Sequence, residues 1–275
     1  MGLTALLIGL TQGGIRGWGS EVVVASLISA AVLLPAFVIV ELRAPEPLLN
    51  LRMFKSRTFA FGNISALLAS LARMAVTFLF VFFFIGAEGY DHLTTGFLLI
   101  PFAGAMFVFA PFSGRIADRA SARLISTVGM LVTAAGLLGM TTVDVNTPYW
   151  EIASWMIVAG AGAGIFNSPN TREIMSSVPP EKRGVASGAR TLLVNVGVVL
   201  SIAFAIAMVT SAMPASTMVK IFSGVSRGLS EGAAAPFISG FHTALLFMAG
   251  ASLVGAVFSA LRGSQERGLS HRRAD

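Results

Sequence analysis

The chain has no cysteine, only three histidines and only thirteen acidic residues among its 275 positions. The first absence removes disulfides and thiolate metal sites. The scarcity of charge says more. Charged residues make up 12% of the chain, against about 25% in an ordinary soluble domain. Hydrophobic residues reach 55% and the mean hydropathy is +0.80. A soluble protein of this length needs a polar surface that this composition cannot supply. What is abundant fits a membrane: 21 Phe and 29 Gly suit lipid-facing surfaces and closely packed helices. The reading is an all-α polytopic membrane protein.

The net charge of +6 does not make a nucleic-acid-binding stripe, because the basic residues are scattered among short loops. A bilayer core of about 30 Å takes roughly 20 apolar residues per helix. About eight segments fit: 1–15, 21–41, 59–86, 94–113, 124–142, 150–171, 185–210 and 238–261. Helices follow because backbone groups in lipid must be satisfied within their own segment, and the alternating pattern of a barrel is missing. One alternating set of loops carries Arg43, Arg52, Lys55 and Arg57; Arg115, Arg119 and Arg123; Arg172, Lys182 and Arg183; and, in the tail, Arg262, Arg267, Arg272 and Arg273. The other set has only Arg16, Lys220 and Arg227. The positive-inside rule predicts that the first set, and with it both chain ends, is cytoplasmic. Segment 1–15 is short for a span and lacks the basic leader and cleavage site of a signal peptide. A chain that begins inside a span, without its upstream sequence, is expected there; a short, little-tilted helix is the alternative.

Several residues carry chemical interest. Between two apolar runs lies GRIADRASAR, Gly114 to Arg123. Asp118 is expected to face the positive end of a helix starting near 121. Arg115 and Arg119 can pair with it or with carboxylates of neighbouring loops. The plain alternative is a positive-inside anchor and tight turn. Arg73 is the charged residue nearest the middle of a span, and no mid-span carboxylate exists to neutralise it. An arginine at the bilayer centre costs about 2.5–3.5 kcal/mol, so it should face protein or water. A backbone carbonyl, an anionic substrate or an acid outside this chain could answer it; a snorkelling, packing arginine is the alternative.

Gly160, Gly162 and Gly164 resemble a phosphate loop only superficially, because Ile165 stands where the last glycine belongs and no strand precedes them. Gly160 with Gly164, and Gly184 with Gly188, are small-residue pairs that let helices approach closely. Asn167 and Asn170 flank Pro169 and can satisfy the carbonyl that it frees, as a hinge or cavity-facing cluster or as a helix end. Arg190 either contacts substrate or snorkels, and Asn195, five residues on, lies on another face. His242 stands alone, so no metal site is read from it. Glu88, Asp91 and Asp144 belong to outer turns. Of Phe78, Phe80, Phe82, Phe83 and Phe84 some can line a cavity, with most facing lipid. Segment 211–237 reads as an external loop, with an amphipathic turn near Met218–Val225.

Three blocks carry a family resemblance: RAPEPLLNLRMFKSRTFAFG (42–61, preceded by Glu41), GFLLIPFAGAMFVFAPFSGRIADR (96–119) and GAGAGIFNSPN…SVPPEKRGVASGAR (160–190). They resemble, in order and spacing, the fourteen-span drug:proton antiporters of the EmrB/QacA type in the major facilitator superfamily. The resemblance implies two linker helices (1–41, the first truncated), a cytoplasmic loop (42–58), the C-terminal six-helix transporter bundle (59–261) and a cytoplasmic tail (262–275). It implies a latch role for Asp118 and Arg119, in a gating segment that also holds Gly114, Arg115 and Arg123, although Ser121 and Ala122 depart from the fuller pattern. The residues themselves make Arg73, Asn167, Asn170, Arg190 and Asn195 candidates for a substrate cavity. The implied activity is efflux of small amphipathic substrates by alternating access across a bacterial or archaeal plasma membrane. Protons would be coupled through an N-terminal bundle that this chain lacks. No cofactor or catalytic residue is expected, since an enzyme would need converging mid-span His, Asp, Glu or Ser/His groups. A truncated or half-transporter fragment, inactive alone, is the rival reading.

Overall fold

In lipid, helices are the form in which these apolar runs can pair their own backbone groups. The computed structural model describes residues 1–43, 51–212 and 231–262. Met218–Val225 and the tail arginines beyond 262 lie outside the described residues. The order is α1 (Gly2–Arg16), α2 (Glu21–Arg43), a 3-10 turn (Leu51–Lys55), α3 (Arg57–Phe82) and a π turn (Phe83–Ala87). Then follow α4 (His92–Leu98), α5 (Ile100–Arg119), α6 (Ala122–Met140), α7 (Tyr149–Ser176), a 3-10 turn (Pro180–Lys182), α8 (Arg183–Ala212) and α9 (Glu231–Leu261). Among the described residues there is no strand.

Among the described residues, six stretches are long and apolar enough to cross a membrane: Glu21–Arg43, Arg57–Ala87, His92–Ala117, Ala122–Met140, Pro180–Ala207 and Ala235–Leu261. The other two expected spans fall short for different reasons. α1 has 15 residues, about 22 Å at 1.5 Å per residue. It stops at Gly17, whose φ of 86° suits glycine alone. α7 has ample length at 28 residues, but glycine, serine and asparagine dilute its hydropathy. It can carry them because it packs along α5 on one side and α6 on the other. Protein, not lipid, covers those faces.

Glycine makes that double contact possible. Gly160 and Gly164 share the face toward α5. A Cβ on Gly164 would lie 2.5 Å from the Met106 carbonyl oxygen, and one on Gly160 would strike the Phe102 carbonyl. Gly162, about 200° round the helix, faces α6, where a Cβ would sit 2.6 Å from Thr133 Oγ1. α6 reciprocates with Gly129 and Gly136, where a Cβ would come within 2.5 Å of the Phe166 and Ala159 backbone nitrogens. The second expected pair behaves differently. A Cβ on Gly184 or Gly188 meets nothing within 4 Å, because the exposed first turns of α8 have no neighbour on that side.

The rest of the bundle closes around α3, which packs against α7, α8 and α9, while α1 joins α2 and α8. Small hydroxyls bridge helices: Ser65 Oγ donates to the Gly255 carbonyl at 3.1 Å and Ser252 Oγ to the Met130 carbonyl at 2.9 Å. The phenylalanine run corrects the lipid-facing expectation, since Phe80, Phe82, Phe83 and Phe84 are buried. The π turn adds a residue to the helix end and rotates its face. Phe80 and Phe83, three residues apart on one face, both reach Phe241 of α9, with ring centroids 5.2 and 5.4 Å away. The expected loop 211–237 is also shorter, for α9 begins at Glu231 and takes Pro236 into its first turns.

Outside the spans, Asp91 caps α4, accepting from the backbone N–H groups of Leu93 and Thr94 at 3.1 and 3.3 Å. Asp144 Oδ1 accepts from the Val145 N–H at 2.7 Å. Glu88 is half-buried, and that burial pushes its carboxyl above the usual range.

At the end where α6 begins and α9 stops, Arg262 is wholly buried and pairs with Glu173 of α7 at 2.8 Å. Its Nη2 donates to Ser259 Oγ at 3.0 Å, and Thr127 Oγ1 donates to the same oxygen at 3.2 Å. Burial holds the guanidinium below its ordinary value, Glu173 opposes that shift, and nearby Arg123 adds to it. This network ties α6, α7 and α9 together.

Two stability predictions follow from these contacts. Gly164→Ala is expected to destabilise the purified protein by about 1–3 kcal/mol through overpacking, whereas Gly188→Ala, in open space, should hold or slightly raise its unfolding temperature, since Ala favours a helix over Gly; equal shifts would remove the close-approach argument. Glu173→Ala, which strands a buried cation, is expected to cost about 3 kcal/mol. Replacing both Glu173 and Arg262 by Met should restore much of that loss in a thermal double-mutant cycle.

Candidate functional site

A cavity of about 150 Å³ lies among α3, α5, α6, α7 and α8. Four helices supply its polar lining: Ser70 and Arg73 from α3, Thr133 from α6, Asn167 from α7 and Arg190 from α8. Met106, Met130, Phe166 and Val194 give it an apolar side. Ser70 is one turn from Arg73 on the same face. Its hydroxyl donates to the Leu67 and Val194 carbonyls at 2.7 and 3.0 Å and so fastens α3 to α8. Gly197 permits the approach, for a Cβ there would strike Ser70 and the Leu67 carbonyl.

The electrostatics of the cavity are one-sided. Arg190 Nη2 donates to Asn167 Oδ1 at 2.9 Å. Arg190 Nε is shut from solvent with no acceptor in reach. Arg73 and Arg190 are close enough to repel each other. Among the described residues not one carboxylate lines the cavity. Among the described residues no hydrogen bond or ion pair holds the Arg73 guanidinium.

Three of the five residues singled out in the sequence for a cavity therefore converge: Arg73, Asn167 and Arg190. The other two do not. Asn170 is buried between α7 and α3, its Nδ2 donating to the Gly62 carbonyl at 3.3 Å. Asn195 is exposed on α8. The asparagines do not serve the carbonyl freed by Pro169; α7 continues through that proline to Ser176, and both side chains reach neighbouring helices instead. Arg190 turns inward rather than snorkelling. Ser70 and Thr133 escaped the sequence reading, although Ala66, Ala69, Ser70 and Arg73 form a stripe at helical spacing that points to one wall. His242 Nε2 lies 2.7 Å from the Val143 carbonyl oxygen. Among the described residues no group of three or more His, Asp or Glu is placed to hold a metal.

The basic segment at 114–123 is mostly helix. α5 remains helical through Arg119, so the expected loop shrinks to Ala120 and Ser121. A helix can project past the hydrocarbon core when its last turns carry charge that prefers the interface. Gly114 lies against α7, where a Cβ would be 2.8 Å from Ser168 Oγ. Arg115 and Arg119 are exposed, and Arg123 is half-buried in the first turn of α6. Asp118 sits in the last turn of α5 rather than at the start of α6, whose N-cap is Ser121. Its side chain lies outside the described residues.

Residues 1–202 match the family model of the Major Facilitator Superfamily. The chain is 31% identical over 192 residues to the tetracenomycin C resistance and export protein of Streptomyces glaucescens, covering 70% of this chain and 36% of that protein. It is 29% identical over 199 residues to the multidrug transporter protein MdtP of Bacillus subtilis, covering 72% and 37%. It is 27% identical over 177 residues to the riboflavin transporter RibZ of Clostridioides difficile, covering 64% and 39%. The chain thus spans well under half the length of these relatives. With a helical membrane bundle of this packing and a family match across more than half its residues, the chain is a member of the Major Facilitator Superfamily.

Proposed function

We propose that this chain is the C-terminal part of a secondary active efflux transporter that exports amphipathic small molecules by alternating access, coupled to protons. The carrying observation is the cavity among five helices whose lining combines two arginines with apolar side chains. Two relatives bear names of export or multidrug transport, and the partial coverage of their length supports a longer whole. In this reading 1–41 are linker helices of the fourteen-span subfamily, 42–58 a cytoplasmic loop, 59–261 the six-helix bundle and 262–275 the tail. Both ends face the cytoplasm of a bacterial cell. An N-terminal bundle would supply the facing wall and the proton-coupling acids.

The latch follows from place and charge. Gly114, Arg115, Asp118, Arg119 and Arg123 cluster where α5 turns into α6. Charged contacts at such an end can hold one face of a transporter shut and part when the bundles rock. At the same end, the Arg262–Glu173 tie keeps α7 and α9 moving as one body. Arg73 and Arg190 would meet the substrate, while Asn167 fixes the guanidinium of Arg190.

In everted vesicles, the full-length transporter should extrude an amphipathic dye when a proton gradient is imposed, and the 275-residue chain alone should not. Asp118→Asn in the full-length protein is expected to slow extrusion about tenfold, a loss of the size typical of conformational coupling. Proton-driven extrusion by the chain alone would sink the half-transporter reading, and an unchanged rate in Asp118→Asn would sink the latch.

A further inference from the structure

We infer that the cavity between Arg73 and Arg190 takes an oxyanion, the carboxylate or sulfonate end of an amphipathic substrate. This deepens the efflux reading and rests on it. Two guanidinium groups line one small space within the bundle, and the lining offers them no counter-charge. Isolated cations at membrane depth are costly, and they persist where a partner or water answers them. Within the described residues the answer is incomplete. Asn167 accepts one N–H of Arg190 and thereby fixes its plane, while the buried Nε still lacks an acceptor. Buried donors are ordinarily satisfied, and the planar fork of arginine matches a carboxylate in two parallel bonds.

The size of the space and the rest of the wall narrow the class further. A void of about 150 Å³ takes up a benzene-sized group. Phe166, Met106 and Met130 offer that group an apolar bed, and the thioethers adapt to its shape. A ligand with one oxyanion and a compact hydrophobic body satisfies both halves of the lining. A cation of the same size would instead meet two like charges.

The oxyanion can belong to a transported molecule or to an acidic side chain of the preceding bundle, and the test separates these. The purified chain in nanodiscs of zwitterionic lipid is titrated with benzoate and with its neutral isostere benzamide, followed by saturation-transfer NMR. Benzoate is expected to bind at least about tenfold more tightly, the usual scale of a charge-assisted pair. Arg73→Gln should abolish that preference and Arg73→Lys should retain part of it. Equal binding of the two probes, or no benzoate binding, overturns the inference. The second arm measures efflux of an amphipathic carboxylate against its amide by the full-length transporter. A preference in both arms supports a substrate anion. A preference confined to the chain alone assigns the arginines to a protein carboxylate and overturns the substrate reading. Efflux of a neutral dye without anion preference overturns the inference and leaves the efflux reading standing. If nothing is transported the efflux reading fails, and benzoate selectivity in the first arm still supports the anion site.

Discussion

The contact on which the rest of the structure depends is the approach of α7 to two helices at once. Lipid tails are as apolar as leucine, so apolar burial alone does not drive helices together in a bilayer. Close packing and interhelical hydrogen bonds must do it. Gly160 and Gly164 bring α7 onto the backbone of α5, and Gly162 brings its opposite face onto α6. Ser113 of α5 then reaches the Gly164 carbonyl at 3.3 Å. Once that register is set, three later polar residues of α7 have fixed targets. Asn167 meets Arg190, Asn170 meets Gly62, and Glu173 meets Arg262. Three bonds to α8, α3 and α9 arise from three positions spaced three residues apart.

That register also explains how the bundle tolerates charge inside. Arg190 is oriented by Asn167, and α8 is pinned to α3 through Ser70. Arg73 and Arg190 are thereby presented to one space. An arginine at the bilayer centre, the depth of Arg73 in its span, costs about 2.5–3.5 kcal/mol on insertion scales. A fold that carries two such groups side by side has spent stability that packing residues would have kept. The proposed use of that expenditure is recognition of an anion, and the apolar Phe166 side of the same cavity suits the body of an amphipathic molecule.

Much of this was legible in the sequence where one helix sufficed to show it. Long apolar runs marked the spans, because the length of a helix in lipid is set by bilayer thickness. Arg73 stood out, because a charge in such a run has no local explanation. Gly160 with Gly164 was readable as a packing face. The same spacing misled at Gly184 and Gly188, because a pair on one helix does not say whether another helix lies opposite. Gly129, Gly136 and Thr133 were missed for the same reason, as their meaning lies on α7. The Arg262–Glu173 pair joins residues 89 positions apart, beyond any local pattern. The buried phenylalanines depended on packing against Phe241 of a distant helix, and the helical end of α5 on charged turns that project beyond the core. Neither follows from average hydropathy.

The natural absence of cysteine permits a direct test of the central claim, that Arg73 of α3 and Arg190 of α8 line one cavity without a counter-charge. Ala163→Cys places one thiol on the lining beside Asn167. Its rates with an anionic sulfonatoethyl and a cationic trimethylammonium-ethyl methanethiosulfonate are measured and divided by the rates of each reagent with a free thiol in solution. The account expects the anion to be favoured by about tenfold, as in a cleft that focuses positive potential, and the preference to vanish when Arg73 and Arg190 are both replaced by Gln. A normalised rate that favours the cation, or a preference that survives the double replacement, would contradict it.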